Sequence, residues 1–166
     1  MRGLAAPLAF LAFACVSACR DAAPAGPPEI RLGVDVCDGC GMTIAEDRYA
    51  ASALADGNDG RRVLKFDDIG CLARWEAAAP GGTVRGRWVH DRTTEVWIDA
   101  GAAVFSQSRE LTTPMGSGIV AFRNASEADA LVAERGGETL SWESILARAR
   151  DGSLQRHPGS GKEATR

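Results

Sequence analysis

Two stretches of this 166-residue chain carry the same features in the same order. "VLKFDDIGCLARWEAAAPGGTVRGRWV" (63–89) and "GIVAFRNASEADALVAERGGETLSWESI" (118–145) each read as a strand, polar capping residues, a short amphipathic helix, a Gly-Gly stop and a further strand. Phe66 corresponds to Phe122, Asp68 to Asn124, and Gly81-Gly82 to Gly136-Gly137. The order has a physical cause. Alternating apolar residues cover one sheet face, an Asp or Asn accepts the free N–H groups that open a helix, and Gly tolerates the backbone that ends one. Strand-like sequence precedes each copy, "RYAASALAD" (48–56) and "TEVWIDAGAAVFSQS" (94–108). The expected class is therefore α+β, with two tandem ββαβ-like units over residues 29–90 and 91–150. A unit of about 60 residues buries too little apolar surface to stand alone, so the two are expected to pack together.

The N-terminus reads "MRGLAAPLAFLAFACVSACRD": one Arg, an apolar run, then small residues before Cys19. The run is shorter than the roughly 20 residues that span a bilayer, which makes residues 1–18 a secretory signal. Val16-Ser17-Ala18-Cys19 resembles a bacterial lipobox, in which the cysteine is acylated and becomes the first residue of the mature chain. Ordinary cleavage that leaves Cys19 a free thiol is the alternative. With lipidation at Cys19, residues 19–28 become a Pro-rich linker, and the domain is expected on the periplasmic face of a bacterial membrane, held there by its lipid anchor. Residues 151–166, polar and Gly-rich, read as a disordered tail.

A formal charge of −3 (19 Lys and Arg against 22 Asp and Glu) without a long basic run argues against nucleic acid as a partner. No Ser-His-Asp set, phosphate loop or paired carboxylates points to catalysis, so the chain is not read as an enzyme.

Removal of Cys15 with the signal and use of Cys19 as anchor leave Cys37, Cys40 and Cys71, an odd number in an oxidising compartment. The stretch "VDVCDGCGMTI" (34–44) holds two of them beside Met42. A thioredoxin-type pair needs a helix N-terminus to lower a thiol pKa, and the Gly and β-branched residues here do not provide a helix. Structural zinc needs a second pair of ligands. The set Cys37, Cys40, Cys71 and His90 supplies four donors, but without knuckle spacing, and His157 lies in the tail. Cu(I) takes few, soft ligands, which suits a thiolate and a thioether two residues apart, Cys40 and Met42. On an extended strand both would share a face. Met115, in "TTPMGSG", is the best-placed third ligand. The weaker candidates keep bland alternatives: His90 as a residue at a strand end, Cys71 as an apolar filler at a helix start.

Taken in order, a lipobox, "CGM", "FDDIGC" before a Trp-containing helix, "TPMGSGIVAF" and "GGETLSWESI" resemble the NosL family, the copper-binding accessory lipoproteins of nitrous oxide reductase. The resemblance spans about 36–146. It implies two ββαβ units, Cu(I) ligation by Cys40, Met42 and Met115, and delivery of copper to nitrous oxide reductase and its membrane maturation complex, where a copper–sulfide centre is assembled. Cys37 departs from the commonest family pattern, either as an extra ligand or as half of an oxidisable Cys37–Cys40 pair. A zinc- or disulfide-stabilised interaction domain is the competing expectation.

Overall fold

The computed structural model describes residues 26–57, 60–79 and 83–154. The expected signal peptide, the expected lipidation site Cys19, most of the expected linker and residues 155–166 of the expected tail lie outside the described residues.

Strand β1 (Ala51–Gly57) pairs antiparallel with β2 (Gly60–Phe66) on one side and with β3 (Val84–His90) on the other. Helix α1 (Ile69–Ala78) connects β2 to β3. Strand β5 (Val104–Gln107) likewise lies between β6 (Ile119–Phe122) and β7 (Glu138–Leu140), and helix α2 (Ala125–Arg135) joins those two. The strand orders β2-β1-β3 and β6-β5-β7 are thus the same, each with the first strand in the centre. This is the tandem ββαβ arrangement expected from the repeat. Phe66 and Phe122 end equivalent strands, and Asp68 and Asn124 stand at the N-cap positions of α1 and α2, where Asp68 accepts a backbone N–H and the Asn124 side chain instead donates to Glu127.

Three details differ from the sequence reading. Strand β4 (Trp97–Asp99), in a segment expected to open the second unit, is hydrogen-bonded to β3 and extends the first sheet. "SWESI", read as the end of a strand, instead starts helix α3 (Trp142–Arg150). Ser141 caps it by accepting from the Ser144 N–H, Glu143 lies in the first turn and Arg148 and Arg150 in the last, as the helix dipole favours. Its buried Trp142, Ile145 and Leu146 and its half-buried Ala149 recur at helical spacing. Finally, Leu154, placed in the tail, is buried in the core after α3 turns back, its N–H donating to the Arg148 carbonyl.

Both units contribute to one core. Phe66, Ile69, Leu72 and Val89 pack in a single cluster with Phe105, Ile119, Trp142 and Ile145, and α1 lies against α3. Burying side chains of this size stabilises by about 1.5–3 kcal/mol each relative to exposure, which neither sheet face achieves without the other.

Two buried carboxylates tie the units together. Asp91, at the end of β3, accepts the backbone N–H of Arg123 at 2.7 Å while the adjacent Arg92 N–H donates to the Ala121 carbonyl. Asp68, fully buried, has extended backbone and caps α1 by accepting the Gly70 N–H at 2.7 Å. Its second oxygen accepts the Thr113 hydroxyl at 2.7 Å and the Met115 N–H at 3.1 Å, both from the loop between β5 and β6. Asp68→Ala removes the cap and strands the buried Thr113 hydroxyl and the part-buried Met115 N–H, so it is expected to cost about 2–4 kcal/mol. Urea denaturation measures this; a loss below about 1 kcal/mol would show that the loop is held by other means.

Candidate metal centre

The segment entering β1 reverses direction between Cys37 and Met42. The Cys37 N–H donates to the Met42 carbonyl at 2.8 Å and the Gly41 N–H to the Cys37 carbonyl at 2.9 Å. Gly41 has φ +76°, a left-handed backbone that side chains with a Cβ adopt at a cost. The extended strand expected across Cys40–Met42 is therefore a turn. Asp38 fixes this turn to the free edge of β2: its N–H donates to the Lys65 carbonyl and its carboxylate accepts the Lys65 N–H, both at 2.8 Å. Gly39 allows close approach to α1, because a Cβ there would stand 3.3 Å from both the Cys71 carbonyl oxygen and the Phe66 ring.

Consequently Cys37 and Cys40, three apart in the turn, meet Cys71 in the first turn of α1. The three Sγ atoms lie within 4.8 Å of one another, and all three thiols are free. Two metal–thiolate bonds of about 2.3 Å end to end span about 4.6 Å, so the cluster closes on an ion with small movements. Cys37 and Cys71 are buried at 2% and 4% exposure, while Cys40 is half-exposed. Cys40 and Cys71 line a cavity of about 690 Å³ with Gly39, Arg74, Trp75 and Met115.

The thiols do not share charge evenly. Cys37 is drawn down to about 5, first by the S–H that Cys71 donates to it, then by backbone N–H groups of Asp67, Cys40 and Gly39, which together outweigh its burial. Cys71 is pushed far up, because its proton is held by Cys37 and because it is buried. Burial is also the main cause that raises Cys40. The site thus stores one thiolate at neutral pH, at the positive end of α1, with two thiols beside it.

Of the residues singled out by sequence, the structure unites Cys37, Cys40 and Cys71, with Met115 on the same cavity. Met42 is 58% exposed and is not part of the cavity lining. His90 is buried elsewhere, its Nδ1 3.2 Å from the Ala50 carbonyl oxygen and its ring stacked on Trp97 at 3.7 Å, and burial lowers its pKa. The four-donor set with His90 is therefore not assembled. Cys71, readable as an apolar filler, is a full member of the cluster. Its signal was its position: the residue three after the cap of a helix that points at the turn. Arg74, with Nη2 3.9 Å from Cys71 Sγ, carried no signal in the sequence alone.

Fold and site together define an α+β protein of two fused ββαβ units that gathers three free thiols, two of them lining a cavity, a donor set fitted to a soft metal ion. The chain belongs to the NosL family, whose model matches residues 32–149. Among solved structures it is similar to the copper chaperone NosL from Shewanella denitrificans, with 22% identity, coverage of 70% of this chain and 96% of that one, and a TM-score of 0.55, a likeness of fold. No curated relative matches it by sequence.

In the reduced, metal-free protein one thiolate per chain is expected to form as pH rises through about 5 and to be protonated again as pH falls through it. Ultraviolet thiolate absorbance reads this titration, and Cys37→Ser should abolish it. Absorbance that appears only near the ordinary thiol value of about 8.5 would refute the assignment.

Proposed function

We propose that this protein is a Cu(I) carrier, a chaperone and not a catalyst, with copper as its cargo. The observation that carries the reading is the cluster of three thiols within 4.8 Å, with a methionine on the same cavity and no carboxylate or imidazole in the group. Thiolate and thioether donors favour soft Cu(I), whereas oxygen donors favour harder ions. Cys37, Cys40 and Cys71 would hold the ion, and Met115 supplies a weaker fourth contact from the second unit. As metal–sulfur bonds form, each remaining S–H gives up its proton to water. Met42, soft and solvent-exposed two residues from Cys40, is assigned to ligand exchange during transfer. The half-exposed Cys40 leaves the ion open to an incoming ligand, which a closed four-ligand zinc site does not.

The family and the N-terminal sequence support a wider role. Acylation of Cys19 would tether the domain to the periplasmic face of a membrane, and among the described residues no helix is long and apolar enough to cross one. From there the protein would deliver copper to the maturation complex of nitrous oxide reductase for assembly of its copper–sulfide centre.

Competition against a Cu(I) chelator under reducing, anaerobic conditions tests this reading. Cys40→Ser and Cys71→Ser are each expected to weaken binding by more than about a hundredfold, beyond the 10–100-fold typical of outer-sphere losses. Met115→Leu should cost about tenfold, and Met42→Leu should slow transfer while leaving affinity nearly unchanged. Retained affinity in Cys40→Ser and Cys71→Ser together would reject the site. Unfolding of the chain on zinc removal would favour a structural zinc domain.

A further inference from the structure

Arg74 is a charged side chain on the wall of the thiol cavity. It follows Cys71 by three residues on α1, a spacing that puts both on one helix face. Its Nη2 lies 3.9 Å from Cys71 Sγ, a long charge-assisted contact. Its Nη1 is buried and has no hydrogen-bond partner among the described residues. None of the ion pairs among those residues includes it. The neighbouring backbone leaves room for this placement: a Cβ on Gly70 would stand 3.2 Å from Nη1 and 2.6 Å from the Ser117 Cβ. A guanidinium placed against Cys71, with the Asp68 carboxylate near but outside ion-pair distance and with a buried N–H unsatisfied, is costly to fold and has room for a further anionic partner at that spot.

Resting on the Cu(I)-carrier reading, we propose that Arg74 is a specificity-determining residue that makes the cluster prefer a monovalent soft cation over a divalent one. Whatever number of sulfurs ionise, they attract both kinds of ion from the same positions. What distinguishes the ions is repulsion by the guanidinium, which is twice as large for a divalent cation in a site where charge is poorly screened. Three thiolates and one monovalent ion leave a net charge of −2, against −1 with a divalent ion. The more negative assembly gains more from a fixed positive neighbour. Its sulfurs are also better acceptors for the Arg74 N–H groups than the protonated Cys71 thiol that Arg74 meets in the empty site. Protons released from the thiols go to water, and no oxidation or reduction takes place.

The test is the ratio of monovalent to divalent affinity, measured on the full chain by competition titrations with Cu(I) or Ag(I) and with Zn(II) or Cd(II). Arg74→Gln keeps polar reach and Arg74→Met keeps aliphatic packing, and both remove the charge. In both, the ratio is expected to fall by about tenfold to a hundredfold, the scale of one charge–charge interaction in a partly buried site. Arg74→Lys should restore most of it. A merely structural role would weaken both kinds of ion together and leave the ratio unmoved. An unchanged ratio in either neutral variant, with circular dichroism and melting like the parent, overturns the inference while the carrier reading stands. A parent chain that binds no monovalent ion overturns that reading and this inference with it.

Discussion

The Cys71 side of the thiol cluster and the loop that carries Met115 depend on one buried carboxylate. Asp68 sits where β2 ends and α1 begins, and its two oxygens serve different masters: one caps the helix, the other holds Thr113 and the Met115 backbone. The cap orients the first turn of α1 and therefore Cys71. The second oxygen brings the loop of the other unit over that turn, so Met115 reaches the same cavity. A neutral residue of similar size would satisfy one role or the other. A carboxylate accepts from several donors at once, and full burial makes each of those bonds stronger than it would be in water.

The turn from Cys37 to Met42 is built to complement this. Gly41 permits the reversal, Gly39 permits contact with α1, and Asp38 fastens the turn to the β2 edge that would otherwise be unpaired. The same geometry sets the electrostatics. The Cys71 S–H and backbone N–H groups converge on Cys37 and stabilise one thiolate, while that hydrogen bond and burial hold the Cys71 proton and burial holds that of Cys40. A site charged once and not three times carries less self-repulsion, and gains its further negative charge only when a cation arrives. Arg74 lies where that charge accumulates.

Much of the fold was legible because it follows from local rules. The strand ending at Phe66, the Asp68 cap and their counterparts Phe122 and Asn124 were visible from alternation and capping alone. Helix α3 was misread by analogy with the first copy, although Ser141 and the spacing of Trp142, Ile145, Leu146 and Ala149 carry a helical signature. Strand β4 belongs to the first sheet because β3 had an edge free for it, and no local pattern records which edge is free. The site was half legible. The proximity of Cys37 to Cys40 is a matter of three residues, but a strand was assumed where Gly41 makes a turn, and Met42 was credited with a position that the turn denies it.

The sequence by itself determined the class of protein and the class of chemistry: two repeated ββαβ units, and soft sulfur donors without a harder ligand pattern beside them. These rest on periodicity, capping and donor type, which are properties of residues and near neighbours. Only the tertiary structure decided the membership of the cluster, with Cys71 included, His90 apart and Arg74 alongside. Those relations join residues more than thirty positions apart, or depend on which way a helix face turns. They are set by the shared core and by the hydrogen bonds of Asp68 and Asp38, which no spacing along the chain encodes.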